Sequence, residues 1–380
     1  KAATRLAASI REQREKLGLP PELADRIPED AATIHRRLGF RPQNPTRFTH
    51  NADNPLAADV VVLDEASMVD LALMTKLVEA VPRNARLIML GDKDQLASVA
   101  AGHVLGDIAS IAEPGEPLAE AFAQLTTTHR FDKAGGVGLV AEAIKQGDPD
   151  LVLSRLRAGL PGLTWVETSD KPRSYDALEG VVVEGLTPLF RHLSSPNKAL
   201  SVLSDFQVLT AHRRGRFGAE SFNPLIERWL AKHQVIPAGV DQPPGRPVII
   251  LVNDAAQDLY NGDTGITLHD ADGTTRVHFP TAADGLEVIE SRSLSLAQLP
   301  SHAPLYAMTI HKAQGSGFGH VVCVLPPEPS PVTTRELLYT AVTRARSRVT
   351  LFASEAVIRH SVLTRVQRGS GLPDALRAAV

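Results

Sequence analysis

The sequence predicts an α/β protein of two to three domains that carries a small β-rich insert. Short continuous apolar runs recur along the chain, at Val60–Leu63, Arg86–Leu90, Phe206–Ala211, Pro247–Val252, Leu305–Ile310 and His320–Leu325. Runs of this length read as parallel strands buried on both faces. Helix-forming stretches lie between them, the alternation expected of an α/β fold. Between Asn261 and Leu299 the pattern shifts to short alternating segments around two hairpin signals, Asn261-Gly262 and Asp270–Gly273. At roughly 150 residues per domain, 380 residues set the domain number.

Composition narrows the class of function. Hydrophobic residues make up 43% and charged residues 22%, ordinary for a globular protein with ample core. A net charge of -3 argues against a generally basic coat, so a nucleic-acid grip would have to be a local groove. The single Cys323 excludes an internal disulfide framework and a cysteine zinc site, and it suits a reducing, cytoplasmic location. No apolar run approaches the ~18 residues that span a bilayer, so no membrane partner is expected. No signal peptide is visible, and the opening at Lys1, already in helix-like sequence, reads as a fragment.

Residues 1–16 are rich in helix formers, with Leu6 and Ile10 on one face. Leu17–Pro21 breaks that helix, and Thr33–Gly39 forms a short one carrying Arg36 and Arg37. Phe40–Leu56, dense in Pro and Asn, reads either as a protruding hairpin or as a plain surface loop. The run Val60–Leu63 ends in two adjacent carboxylates, Asp64 and Glu65. Charges at the carboxyl end of a buried strand sit where open α/β sheets bind ligands. One acid can hold Mg²⁺ while its neighbour polarises an attacking water, the division of labour that nucleoside-triphosphate hydrolysis needs. The bland alternative is that these acids cap the next helix, expected over Leu71–Val81.

Arg86–Leu90 also ends in polar residues, Gly91–Gln95, so two strands deliver polar groups to one edge. Gln95 there can donate to a γ-phosphate and accept from water. Arg130 follows the short polar run Gln124–His129, and the helix Val137–Lys145 stops at Gly147. Residues 150–200 read as amphipathic helix without chemistry. The loop after Phe206–Ala211 carries Arg213, Arg214 and Arg216, a cluster able to hold phosphates, although solvated charge is the commoner outcome for such loops. Strands at Gly265–His269, Thr275–Phe279 and Leu286–Ser291 suggest a small inserted β-barrel. After Leu305–Ile310 comes His311–Ser316. A helix is expected over Thr333–Arg346, with Leu337, Leu338, Ala341 and Val342 inward, then a strand at Arg348–Ala353 and a terminal helix.

Five segments resemble the superfamily-1 helicases in order and spacing, and most closely the RecD family, the alpha subunits of exodeoxyribonuclease V. They are NPLAADVVVLDEASMVDL (Asn54–Leu71), RLIMLGDKDQLASVAAGHVLGDI (Arg86–Ile108), LYNGDTGI (Leu259–Ile266), MTIHKAQGS (Met308–Ser316) and RELLYTAVTRARSR (Arg335–Arg348). The resemblance implies two RecA-like P-loop NTPase domains, with ATP in the cleft between them and single-stranded DNA running across both. It implies domain 1A over 1–147 with a wedge hairpin at 40–56, domain 2A over 148–261 and 301–380, and an SH3-like insert at 262–300, which goes with 5′→3′ travel. On this resemblance Asp64 coordinates Mg²⁺, Glu65 is the general base, Gln95 senses the γ-phosphate, and Arg130 and Arg344 are arginine fingers. Gly315 joins the nucleotide contacts. Lys1, Thr33, His35, Arg37, Arg213, Arg214, Thr309, His311, Lys312 and Gln314 are implied on the DNA track. RecB-like and RecC-like subunits and a duplex junction are the implied partners in double-strand-break repair.

Three features depart from the family, one of them His129, which stands where an aromatic is common before the finger arginine. No GxxxxGK[ST] occurs in the 380 residues, so the P-loop is expected upstream of Lys1, and the fragment alone is expected to hydrolyse no ATP. Gly317 stands where the family usually has a glutamate after QGS. Alternatives of other kinds are a stand-alone helicase of the same branch and a non-motor DNA-binding or assembly subunit.

Overall fold

A computed structural model describes residues 10, 13–14, 16–18, 20–24, 27, 31–41, 44, 47–98, 102–113, 115–116, 118–125, 132, 134–168, 172–270, 273–284, 287–366 and 370–379. The chain divides into two compact units, residues 1–127 with 366–380, and residues 128–365. Lys1, Arg130 and most of the first expected helix lie outside the described residues.

In the first unit the short helices α1 (Pro21–Ala24) and α2 (Ile34–Arg37) are followed by strand β1 (Val60–Leu63), helix α3 (Leu71–Ala80), strand β2 (Arg86–Met89) and helix α4 (Val104–Ser110). β1 and β2 pair in parallel, from Val60 opposite Arg86 to Leu63 opposite Met89. The expected burial of β1 on both faces fails. Leu63 is buried, but Val60 and Val62 remain 52% and 50% exposed. Alternate strand residues point to opposite faces, so the described sheet has one covered face and one open face. The covered face packs with Leu38, Ala66, Met74, Leu77 and Leu105. α3 is capped by Asp70, whose Oδ1 accepts from Leu73 N at 2.9 Å. Asp64 and Glu65 are therefore not its caps.

The segment Phe40–Leu56 falls between its two readings. Phe40 bridges Phe48, and Asn51 bridges Asn54, both antiparallel but isolated, so the described part is a pinned loop without paired strands. Asn51 Oδ1 accepts from Asp53 N at 2.9 Å and Asn54 N at 3.2 Å, the self-contained Asx turn that asparagine favours. The rings of His35, Phe40 and Phe48 cluster with centroids 5.5–6.1 Å apart. The C-terminal helix Leu372–Ala379 also belongs to this unit, not to the second as expected. Arg377 Nε pairs with Glu116 Oε2 at 3.0 Å, Ser370 Oγ bonds Asp107 Oδ2, and Leu372 joins the core.

The second unit opens with α5 (Gly136–Gln146), which the boundary expected at 147 had assigned to the first domain. Its apolar side, Val137, Val140, Ala141 and Ile144, is buried. α6 (Pro149–Arg157), β3 (Leu163–Glu167), α7 (Pro172–Phe190), α8 (Pro196–Leu203), β4 (Phe206–Thr210) and α9 (Ala219–Lys232) follow. β5 (Pro247–Ile250), β6 (Thr264–His269), β7 (Thr275–Asp284), β8 (Glu287–Ser295) and β9 (His302–Pro304) form one antiparallel sheet in the order β8-β7-β6-β5-β9. Pro247–Ile250 thus belongs to the insert, not to the α/β layer: it is sandwiched between β6 and β9. β10 (Ala307–Thr309), β11 (Phe318–Val324), α10 (Arg335–Val342), β12 (Ala345–Ala353) and α11 (Glu355–Leu363) complete the unit.

The main sheet is parallel throughout, ordered β10-β4-β11-β12-β3. Its core joins Val208, Val322, Val324 and Phe352 to Phe222, Ile226 and Leu230 of α9 and Val182 of α7. β3 lies in the stretch read as helical. Trp165 Nε1 donates to Ala353 O at 2.9 Å and reinforces its pairing with β12. The helix expected to run to Arg346 stops at Val342, and β12 begins at Ala345, so Arg344 sits in the tight turn between them. The inward residues Leu337, Leu338, Ala341 and Val342 are buried as expected.

Inside this sheet, burial pushes His320 down to about 4, so it stays neutral while Nε2 meets Thr350 Oγ1 at 2.9 Å. Burial likewise pushes the Cys323 thiol up to about 12, which makes it an inert core residue. Gly147 turns with φ +77°, and an added Cβ would come within 2.3 Å of Arg335. The left-handed turn is the demand that glycine meets most cheaply.

Candidate nucleotide and DNA sites

In the first unit the register of β1 against β2 determines the site. Leu90 N donates to Leu63 O and Ala66 N donates to Leu90 O, both at 2.8 Å, so the chain leaves both strands at one level. Gly91 lies so close to that turn that a Cβ would meet Leu105 at 2.7 Å and the amides of Ala66 and Ser67 at 3.2 Å. Asp64–Glu65 and Asp92–Gln95 therefore occupy the same carboxyl-end edge. Glu65 adopts a left-handed conformation with φ 52°. A non-glycine residue there costs about 1–2 kcal/mol, strain that collects at functional sites. Its amide donates to Asp64 Oδ1 at 2.8 Å, which orients the Asp64 carboxylate against the residue 65 backbone. Gln95, 8% exposed, donates Nε2 to Asp92 Oδ2 at 3.0 Å. Asp92 was not singled out in the sequence, yet it orients the glutamine amide.

The exposed Asp64 carboxylate fits Mg²⁺, an ion that keeps several waters and takes one or two carboxylates plus phosphate oxygens. Among the described residues no group of three or more His, Cys, Asp or Glu forms a metal cage, and an ion bound in this way does not require one.

In the second unit a different sheet edge collects polar groups. β10 lies beside β4 with Thr309 opposite Thr210, and Ile310 N donates to Thr210 O at 2.9 Å. The loop after β10 and the arginine loop after β4 therefore emerge side by side. The first makes a short 3-10 turn over His311–Ala313 and a left-handed turn at Gly315. Thr309 Oγ1 accepts from Lys312 N at 3.3 Å. Thr309, His311 and Gln314 are half-buried and Lys312 is exposed. Burial and the Arg213 charge hold the Lys312 amine below its ordinary value, while Glu220 opposes them. In the neighbouring loop Arg213 and Arg214 are exposed, and the Arg216 guanidinium lies 5.2 Å from the Tyr175 ring centroid.

Arg344 is fully buried. Its Nε donates to Thr340 O and its Nη1 to Ser316 O, each at 3.2 Å. The guanidinium is thus tied to the end of the His311–Ser316 loop. Nearby, Arg346 Nη2 donates to Gly317 O at 2.6 Å. A Cβ at 317 would meet Arg346 Nε at 3.4 Å, an ordinary contact. Arg346 carried no signal beyond its basic character. Thr33 caps α2 and accepts from Arg36 N at 3.3 Å, with His35 and Arg37 exposed beside it.

Comparison with known proteins fits both halves. An AAA domain family model matches residues 1–101, and the UvrD-like helicase C-terminal domain matches residues 304–352. The RecBCD enzyme subunit RecD of Mycolicibacterium smegmatis is 38% identical over 382 residues, which covers 100% of this chain and 65% of that protein. The chain is RecD-like along its whole length. RecD of Mycobacterium tuberculosis (strain CDC 1551 / Oshkosh) is 40% identical across 98% of the chain and 62% of its own length. The RecD-like chain thus spans a little under two thirds of these relatives. The ATP-dependent RecD2 DNA helicase of Deinococcus radiodurans is 33% identical over 84% of the chain and 39% of its own length. A Pif1 helicase structure from Candida albicans aligns over 92% of this chain and 85% of its own at 15% identity, with a TM-score of 0.47, too distant to bear on function.

Proposed function

We propose that the protein to which this chain belongs is an ATP-driven 5′→3′ DNA helicase subunit of a RecBCD-type repair nuclease. The observation that carries this reading is the pairing of Asp64 and Glu65 with Gln95 at one sheet edge, in a chain RecD-like from end to end. Asp64 would hold Mg²⁺, which would neutralise phosphate charge during hydrolysis. Glu65 accepts the proton of the attacking water, and Gln95 reports the γ-phosphate. Arg344, with Arg130 from the segment outside the described residues, stabilises the transferring phosphoryl. Gly315 turns the backbone toward the nucleotide. Thr33, His35, Arg37, Arg213, Arg214, Thr309, His311, Lys312 and Gln314, with Lys1, contact single-stranded DNA. The aromatic cluster His35, Phe40 and Phe48 suits a wedge at the duplex junction, since rings stack on unpaired bases. The antiparallel sheet β8-β7-β6-β5-β9 is the SH3-like insert of this reading.

Opening DNA costs about 1.4 kcal/mol per base-pair step, so a chemical step must be coupled to movement. γ-Phosphate contacts that order switch segments, lost on hydrolysis, provide that coupling. Identity of 38–40% across the whole chain with RecBCD subunits, against 33% over 84% with RecD2, favours work beside RecB-like and RecC-like partners over a stand-alone motor. The test uses the full-length protein, ATP and duplexes with a single-stranded tail at either end. The 5′-tailed duplex should be unwound and the 3′-tailed duplex should not. Preference for the 3′ tail, or ATP turnover that DNA leaves unchanged, would overturn the proposal.

A further inference from the structure

Resting on the DNA-binding reading of the arginine loop, we propose that Glu220 is an internal stand-in for a backbone phosphate. Its carboxylate holds the fork of Arg213 and Arg214 until a nucleic-acid phosphate displaces it.

The loop joins β4 to α9, the place where a helix N-terminus could bind an anion through its free amides. Here those amides are already used. Ala219 N donates to His212 O, Glu220 N to Arg213 O, and Ser221 N and Phe222 N to Gly218 O, all at 3.0–3.1 Å. Recognition of an anion is therefore left to side chains. Arg216 is drawn aside onto the Tyr175 and Phe217 rings, at 5.2 and 5.6 Å. Arg213 and Arg214 remain at the tip with side chains 66% and 80% exposed.

Both arginines converge on one carboxylate. Glu220 Oε1 lies 2.6 Å from Arg213 Nε, and Oε2 lies 3.5 Å from Arg214 Nε. Carboxylate and phosphate present matching oxygen pairs to a guanidinium, so the glutamate occupies the position a phosphate would need. The field reaches the neighbouring loop as well, where Lys312 feels both Arg213 and Glu220. The Glu220 side chain is 47% exposed, so the pairs are weak enough to exchange. Release of Glu220 also leaves a negative charge beside the bound strand. The residue thus limits how tightly each phosphate is held, which suits a protein that must let go at every step.

The test measures fluorescence anisotropy of a labelled oligothymidylate with the full-length protein at low salt. Glu220→Gln should tighten binding about two- to tenfold, the range set by losing one or two half-exposed ion pairs. The gain should shrink as salt rises, and Arg213→Ala should abolish it. Unchanged or weaker binding by Glu220→Gln, with Arg213→Ala/Arg214→Ala still weakening the wild type, would overturn the stand-in while leaving the loop on the DNA track. If the double arginine variant binds like wild type, the DNA reading of the loop itself fails. Thermal melting of each variant confirms that the fold is intact.

Discussion

Glu65→Gln should reduce DNA-stimulated ATP hydrolysis by the full-length protein about 10²–10⁴-fold, the contribution of a positioned general base. The amide has the same shape and keeps the left-handed backbone at φ 52°, so the Asp64 contact made by the residue 65 amide at 2.8 Å should persist. Thermal melting should therefore be nearly unchanged, and nucleotide affinity should hold or rise. Single-turnover hydrolysis with saturating DNA checks the claim. Turnover within a few-fold of wild type would remove Glu65 as the base and leave Asp64 and Gln95 to be reassigned.

The second large effect concerns stability. β10 lies at the edge of the parallel sheet, with β4 on one side. On its other side Asn223 of α9, 8% exposed, acts as a missing strand. Oδ1 accepts from Ala307 N at 2.9 Å, while Nδ2 donates to Ala307 O at 3.0 Å and to Ala219 O at 2.9 Å. Asn223→Leu removes all three bonds and leaves the Ala307 amide buried without a partner. At about 1–3 kcal/mol for each buried group left unsatisfied, the second unit should lose roughly 2–5 kcal/mol. Urea melts should show this loss, and the Ala307 amide should lose its hydrogen-exchange protection first. Because Thr309–Gln314 continue from β10, DNA affinity should fall in parallel. A melt matching wild type would show that the edge is held by other means.

Much of this site was legible because it lies where apolar runs end. Asp64, Glu65 and Gln95 follow the strands Val60–Leu63 and Arg86–Met89 directly, and parallel pairing brings such ends together whatever the rest of the chain does. The same pairing brings Thr309–Gln314 beside Arg213 and Arg214, although the sequence alone leaves the two loops separate. Less visible were features that depend on partners distant in sequence. β3 is a strand because β12 lies beside it and Ala353 accepts from Trp165. Its local sequence, LTWVE, does not separate it from the amphipathic helices around it. Pro247–Ile250 has the composition of an α/β strand yet pairs antiparallel with β6 and β9. Val60 and Val62 are apolar but exposed, a property of which faces are covered and not of the residues. Asn223, Arg346, Asp92 and Glu220 are single polar residues whose roles exist only through contacts made in the fold. The boundary at 127 in place of 147 has the same origin, since α5 is apolar on one side and finds its partners in α6, α10 and β12.

The central proposal is that Arg344 acts as an arginine finger in ATP hydrolysis. It is tested most directly by ATP turnover of the full-length protein carrying Arg344→Ala, with saturating single-stranded DNA and with binding of a fluorescent ADP analogue and thermal melting measured in parallel. Hydrolysis should fall about 10³–10⁵-fold, the contribution of an arginine finger, while the protein stays folded and binds ADP. Turnover equal to wild type would mean that Arg344 only braces the carbonyls of Thr340 and Ser316, and its assignment as a finger would be wrong.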